Sequence, residues 1–312
     1  MSGIGVISNP RSRRNRKNPR LARELTYVLG ERGEMHEPED LEALQAAAEH
    51  FRERAIDVLC VNGGDGTLHR AVTALVRAYG EQPLPRIALL RGGTMNTIAN
   101  GVGVRGKPGE ILDYVVTHYH AGAPMPHVSR WTMRVDGGEY GFLFGTGLQA
   151  HFLEEYYRGG EPSPAKAAWV LLRAVGSALV QGDLVKRLFR DQPMQVHVDG
   201  TLWPRESWMS VAAGTVDDIG LGFRPYYKAP HNPEHVHAVG FACSALTVVL
   251  ELPRIYRAQP TRSPDILDDV CQRLVLSSPE PIGYMIDGDF HQGDRELVVS
   301  IGPRVDFVVP DA

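Results

Sequence analysis

The sequence is short of cysteine, of one-sided charge and of long apolar runs, and each shortage closes off a class of protein. Only three cysteines occur in 312 residues, Cys60, Cys243 and Cys271. They lie far apart and form no Cys-x-x-Cys pair. Neither a disulfide framework nor a cysteine zinc site is expected, which fits a reducing cytoplasm. The formal net charge is −4, and such weak acidity argues against general nucleic-acid binding. The most apolar stretch, residues 165–185, is interrupted by Arg173 and runs into Gln181-Gly182-Asp183; the run 241–252 is too short and carries Glu251. Neither reads as a membrane span. After Met1 a short apolar run precedes a basic cluster, the reverse of the order in a secretory leader, so none is expected. A Walker loop ending in Gly-Lys-Ser/Thr is missing, and so is a protein-kinase catalytic loop.

What is present reads as globular. Hydrophobic residues make up 43% and charged residues 22%, and the length suits two domains, each with its own core. Residues 4–8 form a short apolar run ending at Asn9-Pro10, the mark of a buried strand. Helical patterns follow at 20–32 and 40–53, the second with Asp40 as N-cap. Strands fit 57–61 and 87–90, each running into glycines. Helices fit 68–79, 94–100 and 109–120. Strands alternating with helices predict a doubly wound, Rossmann-like parallel sheet. Near Pro124 the pattern changes. Asp136-Gly137-Gly138-Glu139 and Asp199-Gly200 are hairpin signals between alternating segments. Further strands fit 208–213, 236–241, 274–277, 283–286, 297–301 and 305–309, with helices at 165–181 and 244–257. The expected organisation is an α/β domain over 1–125 and a mainly antiparallel β-sandwich over 126–312.

Four motifs carry chemistry. Gly63-Gly64-Asp65-Gly66-Thr67 sits between a strand and a helix. Its glycines admit close approach of an anion, and the helix start offers free N–H groups and a positive dipole end. An aspartate there can hold Mg2+ or take a proton from a hydroxyl. Gly92-Gly93-Thr94-Met95-Asn96 repeats the strand–glycine–helix arrangement one strand later. In a parallel sheet such loops converge on one crevice. Asn9-Pro10 would join it, trailed by Arg11, Arg13, Arg14, Arg16, Lys17 and Arg20, which could meet phosphates or anionic lipid headgroups, or form a solvated charge run. Asp287-Gly288-Asp289 places two carboxylates around a glycine, which suits a cation site or a base plus ligand but is also ordinary hairpin chemistry.

In this order and spacing the motifs resemble the diacylglycerol kinase catalytic family, which includes sphingosine, ceramide and bacterial lipid kinases. The resemblance implies an α/β nucleotide-binding domain and a β-rich lipid-binding domain with ATP in the cleft between them. It implies transfer of the γ-phosphoryl of Mg-ATP to the primary hydroxyl of a membrane lipid: diacylglycerol, ceramide or a sphingoid base. Carried over by motif, Asn9, Gly63 to Thr67, Gly93, Thr94 and Asn96 would border the nucleotide. Asp65 would organise phosphate and metal, Asp287 would be the general base, and Asp289 would supply the second acid and a metal contact. The implied setting is cytoplasmic, with peripheral contact to the inner face of a membrane.

Departures mark a divergent member. Arg13 stands where the family usually has glycine, Thr97 and Asn100 stand at its Asp and Arg positions, and Gly145-Thr146-Gly147-Leu148-Gln149 lacks its aspartate. Residues 231–240 show no Asp-Asp-Gly segment for a regulatory metal. An NAD kinase-like enzyme shares the Gly-Gly-Asp-Gly-Thr loop, but its Asn-Glu pair is missing. A non-catalytic lipid or nucleotide sensor is the third reading. Gly145-x-Gly147-x-x-Ala150 reads as a turn rather than a dinucleotide site, and His231, His235 and His237 as a surface loop rather than a zinc site.

Overall fold

A computed structural model describes residues 3–149, 151, 163, 165–166, 168–169, 173 and 190–310. The chain divides into two compact units, residues 1–130 with 303–312, and residues 131–302. The expected helix at 165–181 lies outside the described residues apart from isolated positions.

The first unit opens with β1 (Ile4–Ser8), fully buried, followed by a short α1 (Arg13–Lys17) and α2 (Leu21–Leu29). Then come β2 (Gly33–His36), α3 (Leu41–Glu53), β3 (Val58–Asn62), α4 (Asp65–Tyr79), β4 (Arg86–Leu89), α5 (Thr97–Gly101) and α6 (Pro108–His120). Asp40 caps α3, accepting from the Ala43 amide at 2.8 Å, which fixes where that helix starts. The strand order is β2-β1-β3-β4, all parallel, and the end of a later strand (Phe307, Val308) lies parallel to β4 as a fifth member.

Helices cover both faces of this sheet, and glycines show how closely. A Cβ on Gly5 would lie 2.9 Å from Phe51 of α3, whereas one on Gly33 would lie 2.3 Å from Leu29 of α2. Ile4 pairs with Gly33 and Gly5 with Glu34. Alternate residues therefore face α2 and α3, as strand periodicity requires. The apolar run of β3, Val-Leu-Cys-Val, is buried on both faces for the same reason. The unit is the doubly wound α/β fold expected from the sequence.

The second unit is antiparallel β. Its strands are β5 (His127–Val135, starting in the first unit), β6 (Glu139–Gly141), β7 (Leu143–Thr146), β8 (Gln192–Pro193), β9 (Gln195–Val198), β10 (Thr201–Leu202), β11 (Ser207–Trp208) and β12 (Ser210–Gly214). After them come β13 (Val236–Phe241), α7 (Ala245–Tyr256), β14 (Ile266–Cys271), β15 (Arg273–Ser277), β16 (Gly283–Ile286), β17 (Asp289–Gln292) and β18 (Glu296–Val308). One sheet runs β14-β13-β12-β7-β16-β17, and a second runs β10-β9-β15-β18, with β5 attached to β18 and β6 to β5. Side chains from both, among them Phe144, Val211 and Ile286 from the first and Val196, Leu274 and Val299 from the second, share one core. That interdigitation of two inner faces makes a β-sandwich. The two strands expected at 297–301 and 305–309 are one strand, β18, which continues into the first unit.

Candidate functional site

In the first unit the strand order reverses between β1 and β3, because the chain steps from β1 outward to β2 and then returns to the other side. Ligands of open α/β sheets bind beside the carboxyl ends of the strands at such a switch point. The loops that follow β1 and β3 flank this one. The Asn9 amide donates to the Asn62 carbonyl at 2.9 Å, and Asn9 Nδ2 donates to Thr67 Oγ1 at 2.9 Å. The third loop joins through the Arg14 amide, which donates to the Gly92 carbonyl at 3.1 Å. Asn9, Gly63 to Thr67, Gly93, Thr94 and Asn96 thus gather in one place within the first unit.

The glycines are dictated by that gathering. A Cβ on Gly93 would lie 2.2 Å from Gly64 Cα, and one on Gly63 would lie 2.3 Å from the Thr67 side chain. A Cβ on Gly92 would lie 2.5 Å from Asn62 Oδ1. The two loops therefore touch backbone to backbone. Asn96 takes the left-handed conformation, φ 51°, and its Oδ1 accepts from the Gly93 amide at 3.1 Å, a turn that asparagine tolerates better than most residues.

Asp65 ties the loops together. Its carboxylate accepts from the Thr97 amide and from the Ile98 amide, each at 3.0 Å, and so caps the start of α5. Desolvation pushes this carboxyl above its ordinary range, opposed by the amides of Thr97 and Ile98. Beyond Asp65, the N–H groups of the first α4 turn have no partner within their own helix.

Three polar atoms here are buried with no hydrogen-bond partner: Ser12 Oγ, Arg13 Nε and Asn62 Oδ1. Buried polar groups are ordinarily paired, so a donor such as Arg13 Nε near the glycine loops suits an anionic ligand. Arg91, outside the four motifs, adds charge. It has φ 58°, and its Nη1 donates to Asn100 Oδ1 at 2.8 Å and to the Val104 carbonyl at 2.6 Å. Arg105 reaches the same Asn100 oxygen at 3.4 Å. Burial, and then the nearby Arg105 and Arg14 charges, lower the Arg91 pKa. The signal for Arg91 was its place directly before Gly92-Gly93.

The late carboxylates lie in the second unit. Asp287 and Gly288, at φ 46° and 88°, form the two-residue turn between β16 and β17, the left-handed pair that an Asp-Gly turn favours. Asp287 is 2% exposed. Its carboxylate accepts from the Phe142 amide at 3.0 Å and the Leu143 amide at 2.8 Å, where β6 breaks from β7. Asp199 does the same at its own Asp-Gly turn, accepting from the Gln272 and Arg273 amides. Asp289, partly exposed, is the first residue of β17.

Of the histidines read as a surface loop, His237 is instead fully buried in β13, bonded to Asp268 at 3.2 Å. Burial would raise the Asp268 carboxyl, but hydrogen bonds from His237, Tyr227 and Lys228 outweigh it and hold the pKa at about 2. The three histidines form no metal cluster among the described residues. No helix of the described residues is long and apolar enough to cross a membrane.

Fold and site together define a class: a glycine-loop α/β unit with an anion-suited crevice at its switch point, followed in one chain by an antiparallel β-sandwich. Within that class, residues 3–124 match the family model of the diacylglycerol kinase catalytic domain. A structure from Bacillus anthracis str. Sterne described as "a putative diacylglycerol kinase" superposes with a TM-score of 0.73 at 13% identity, covering 99% of this chain and 97% of that one. A second, a diacylglycerol kinase from the same strain, gives 0.66 at 12% identity with the same coverage. At such identities these likenesses show a shared fold. No curated protein matches the sequence.

Proposed function

We propose that the protein is an ATP-dependent lipid kinase that phosphorylates the primary hydroxyl of a membrane lipid, either diacylglycerol or a ceramide or sphingoid base. The observation that carries this reading is the back-to-back packing of Gly64 on Gly93, which opens two glycine loops and one helix start to the same ligand. The catalytic-domain match over residues 3–124 supports it.

The chain's own groups divide the work. The α4 amides, Asn9, Thr67, Thr94 and Asn96 border the phosphates, and Arg13, Arg14 and Arg91 balance their charge. Asp65 holds the loops at their spacing through Thr97 and Ile98. Magnesium bound with ATP would neutralise phosphate charge, and Asp65 is the carboxylate of the first unit proposed to hold it; Asp289 is proposed as a second acid. Asp287 is the proposed general base. In the transfer the lipid oxygen bonds to the γ-phosphorus, the bond to the β–γ bridging oxygen breaks, and the hydroxyl proton passes to the carboxylate. Positioning and charge neutralisation supply most of the acceleration in such chemistry. Contact with the membrane is peripheral, and the basic run Arg11 to Arg20 is proposed to meet anionic headgroups.

The test is a panel of diacylglycerol, monoacylglycerol, ceramide and sphingoid base offered with Mg-ATP to the wild-type protein and to Asp65→Ala. Phosphorylation of one lipid class, lost in Asp65→Ala, is expected. NADP formed from NAD and ATP would replace this reading with the NAD kinase-like one. ATP binding without turnover on any lipid would leave a sensor.

A further inference from the structure

A second constellation lies in the first unit and shares no residue with the glycine loops. Glu34 and His36 are two apart on β2, so both point to the same face. It is the face turned to α3, because Gly5, the register partner of Glu34, abuts Phe51 there. His50 stands on α3 beside Phe51. The result is one carboxylate between two imidazoles: His36 Nε2 lies 2.8 Å from Glu34 Oε1, and His50 Nε2 lies 3.0 Å from Glu34 Oε2. The three ligand atoms all lie within 4.8 Å of one another, and it is the one such group of His, Cys, Asp or Glu found among the described residues.

We propose that Glu34, His36 and His50 bind a divalent transition-metal ion of the zinc class. Two imidazoles and a carboxylate are a known three-ligand zinc set that leaves one position for water. Tetrahedral ligands at about 2.0–2.1 Å from zinc stand about 3.3 Å apart, and one ligand atom from each residue already lies within 4.8 Å of the other two, so side-chain rotation brings the three to that spacing. The side chains are 34%, 31% and 41% exposed in the order Glu34, His36, His50. An ion can enter, and a water can complete its shell. Arg54 Nη1 donates to Glu34 Oε2 at 3.0 Å, the outer partner that a ligating carboxylate usually has. Imidazole ligands disfavour magnesium, so this ion is distinct from any that accompanies ATP. Bound there, it joins the edge strand β2 to α3.

The experiment is calorimetric titration of the full-length, chelator-stripped protein with ZnCl2, without nucleotide. One zinc per chain is expected, and no heat with MgCl2. Cobalt in place of zinc should give the strong visible absorption of a four-coordinate site. His36→Ala and His50→Ala should each weaken zinc binding about 100-fold or more, beyond the 10–100-fold typical of losing an outer partner. Arg54→Ala should stay within that lesser range. His50→Gln, which preserves size and polarity, guards against a folding defect and should weaken binding as His50→Ala does. Zinc binding unchanged in the His36→Ala, His50→Ala double variant, or no zinc binding by the wild type, would overturn the proposal and leave an ion-paired cluster only.

Discussion

Replacing Gly93 by alanine tests the packing on which the crevice depends. The new methyl would lie 2.2 Å from Gly64 Cα, 2.9 Å from the Gly64 nitrogen and 3.0 Å from Asn96 Oδ1. Carbon atoms rest at about 3.5–4.0 Å, so the loops must part by about 1.3 Å or more. The nearer atoms are backbone and cannot swing aside. Parting the loops by that much lengthens the 3.0 Å bonds from Thr97 and Ile98 to Asp65 past useful range. Overpacking costs about 1–3 kcal/mol, and two lost bonds to a carboxylate add about 1.5–3 kcal/mol each in the worst case. Relief by water at this partly exposed loop brings the expected total to about 3–5 kcal/mol. Gly64→Ala is the internal control. Its methyl meets Gly93 Cα at 3.1 Å and little else, and its φ of −99° suits alanine. It should cost about 1 kcal/mol or less. Urea unfolding of both variants, with slopes checked for two-state behaviour, measures the difference. A Gly93→Ala protein as stable as Gly64→Ala would refute the backbone-contact argument and, with it, the reason given for paired glycines.

Two further outcomes are expected. Asp287→Ala should destabilise the second unit by about 3–5 kcal/mol, since it strands two amides and places alanine at a left-handed φ, while Asp287→Asn should cost about 1–2 kcal/mol; if the folded Asn variant transfers phosphate to lipid at the wild-type rate, Asp287 serves the turn and not the chemistry. Asp268 has a folded pKa of about 2, below the ordinary value near 3.9. Its contribution to stability is thus present above about pH 4 and lost as the pH falls towards about 2. Lys228→Met should shrink that acid-side loss in denaturation measured across this window, and an unchanged profile would dismiss the network as a source of stability.

Much of the fold was legible because local pattern and tertiary role agree. Residues 4–8, 236–241 and 283–286 read as strands and are strands over those spans, since each is an apolar segment bounded by turn chemistry. Asp40 announced its helix because capping is written in one side chain. β2 was not legible. Gly33-Glu34-Met35-His36 has no apolar alternation; it is a strand because β1 supplies its partners. For the same reason Glu34 and His36 gave no warning of His50. The start of α4 at Asp65 rather than Leu68 was hidden by glycines, which disfavour helix except where a helix begins. The motif glycines were visible, but not that they press on one another. Nor did an Asp-Gly pair reveal that its carboxylate would hold a neighbouring strand, because that contact joins residues some 145 apart.

β18 has a consequence for how the chain is made. Its early residues pair with β15 in the sandwich, and Phe307 and Val308 pair with β4. On a ribosome the first unit emerges ahead of the entire sandwich, yet its sheet waits for a strand synthesised after it. Until then β4 presents an unpaired, apolar edge, the kind of surface on which nascent chains associate wrongly. Folding of the crevice-bearing unit is therefore completed last, although it is translated first.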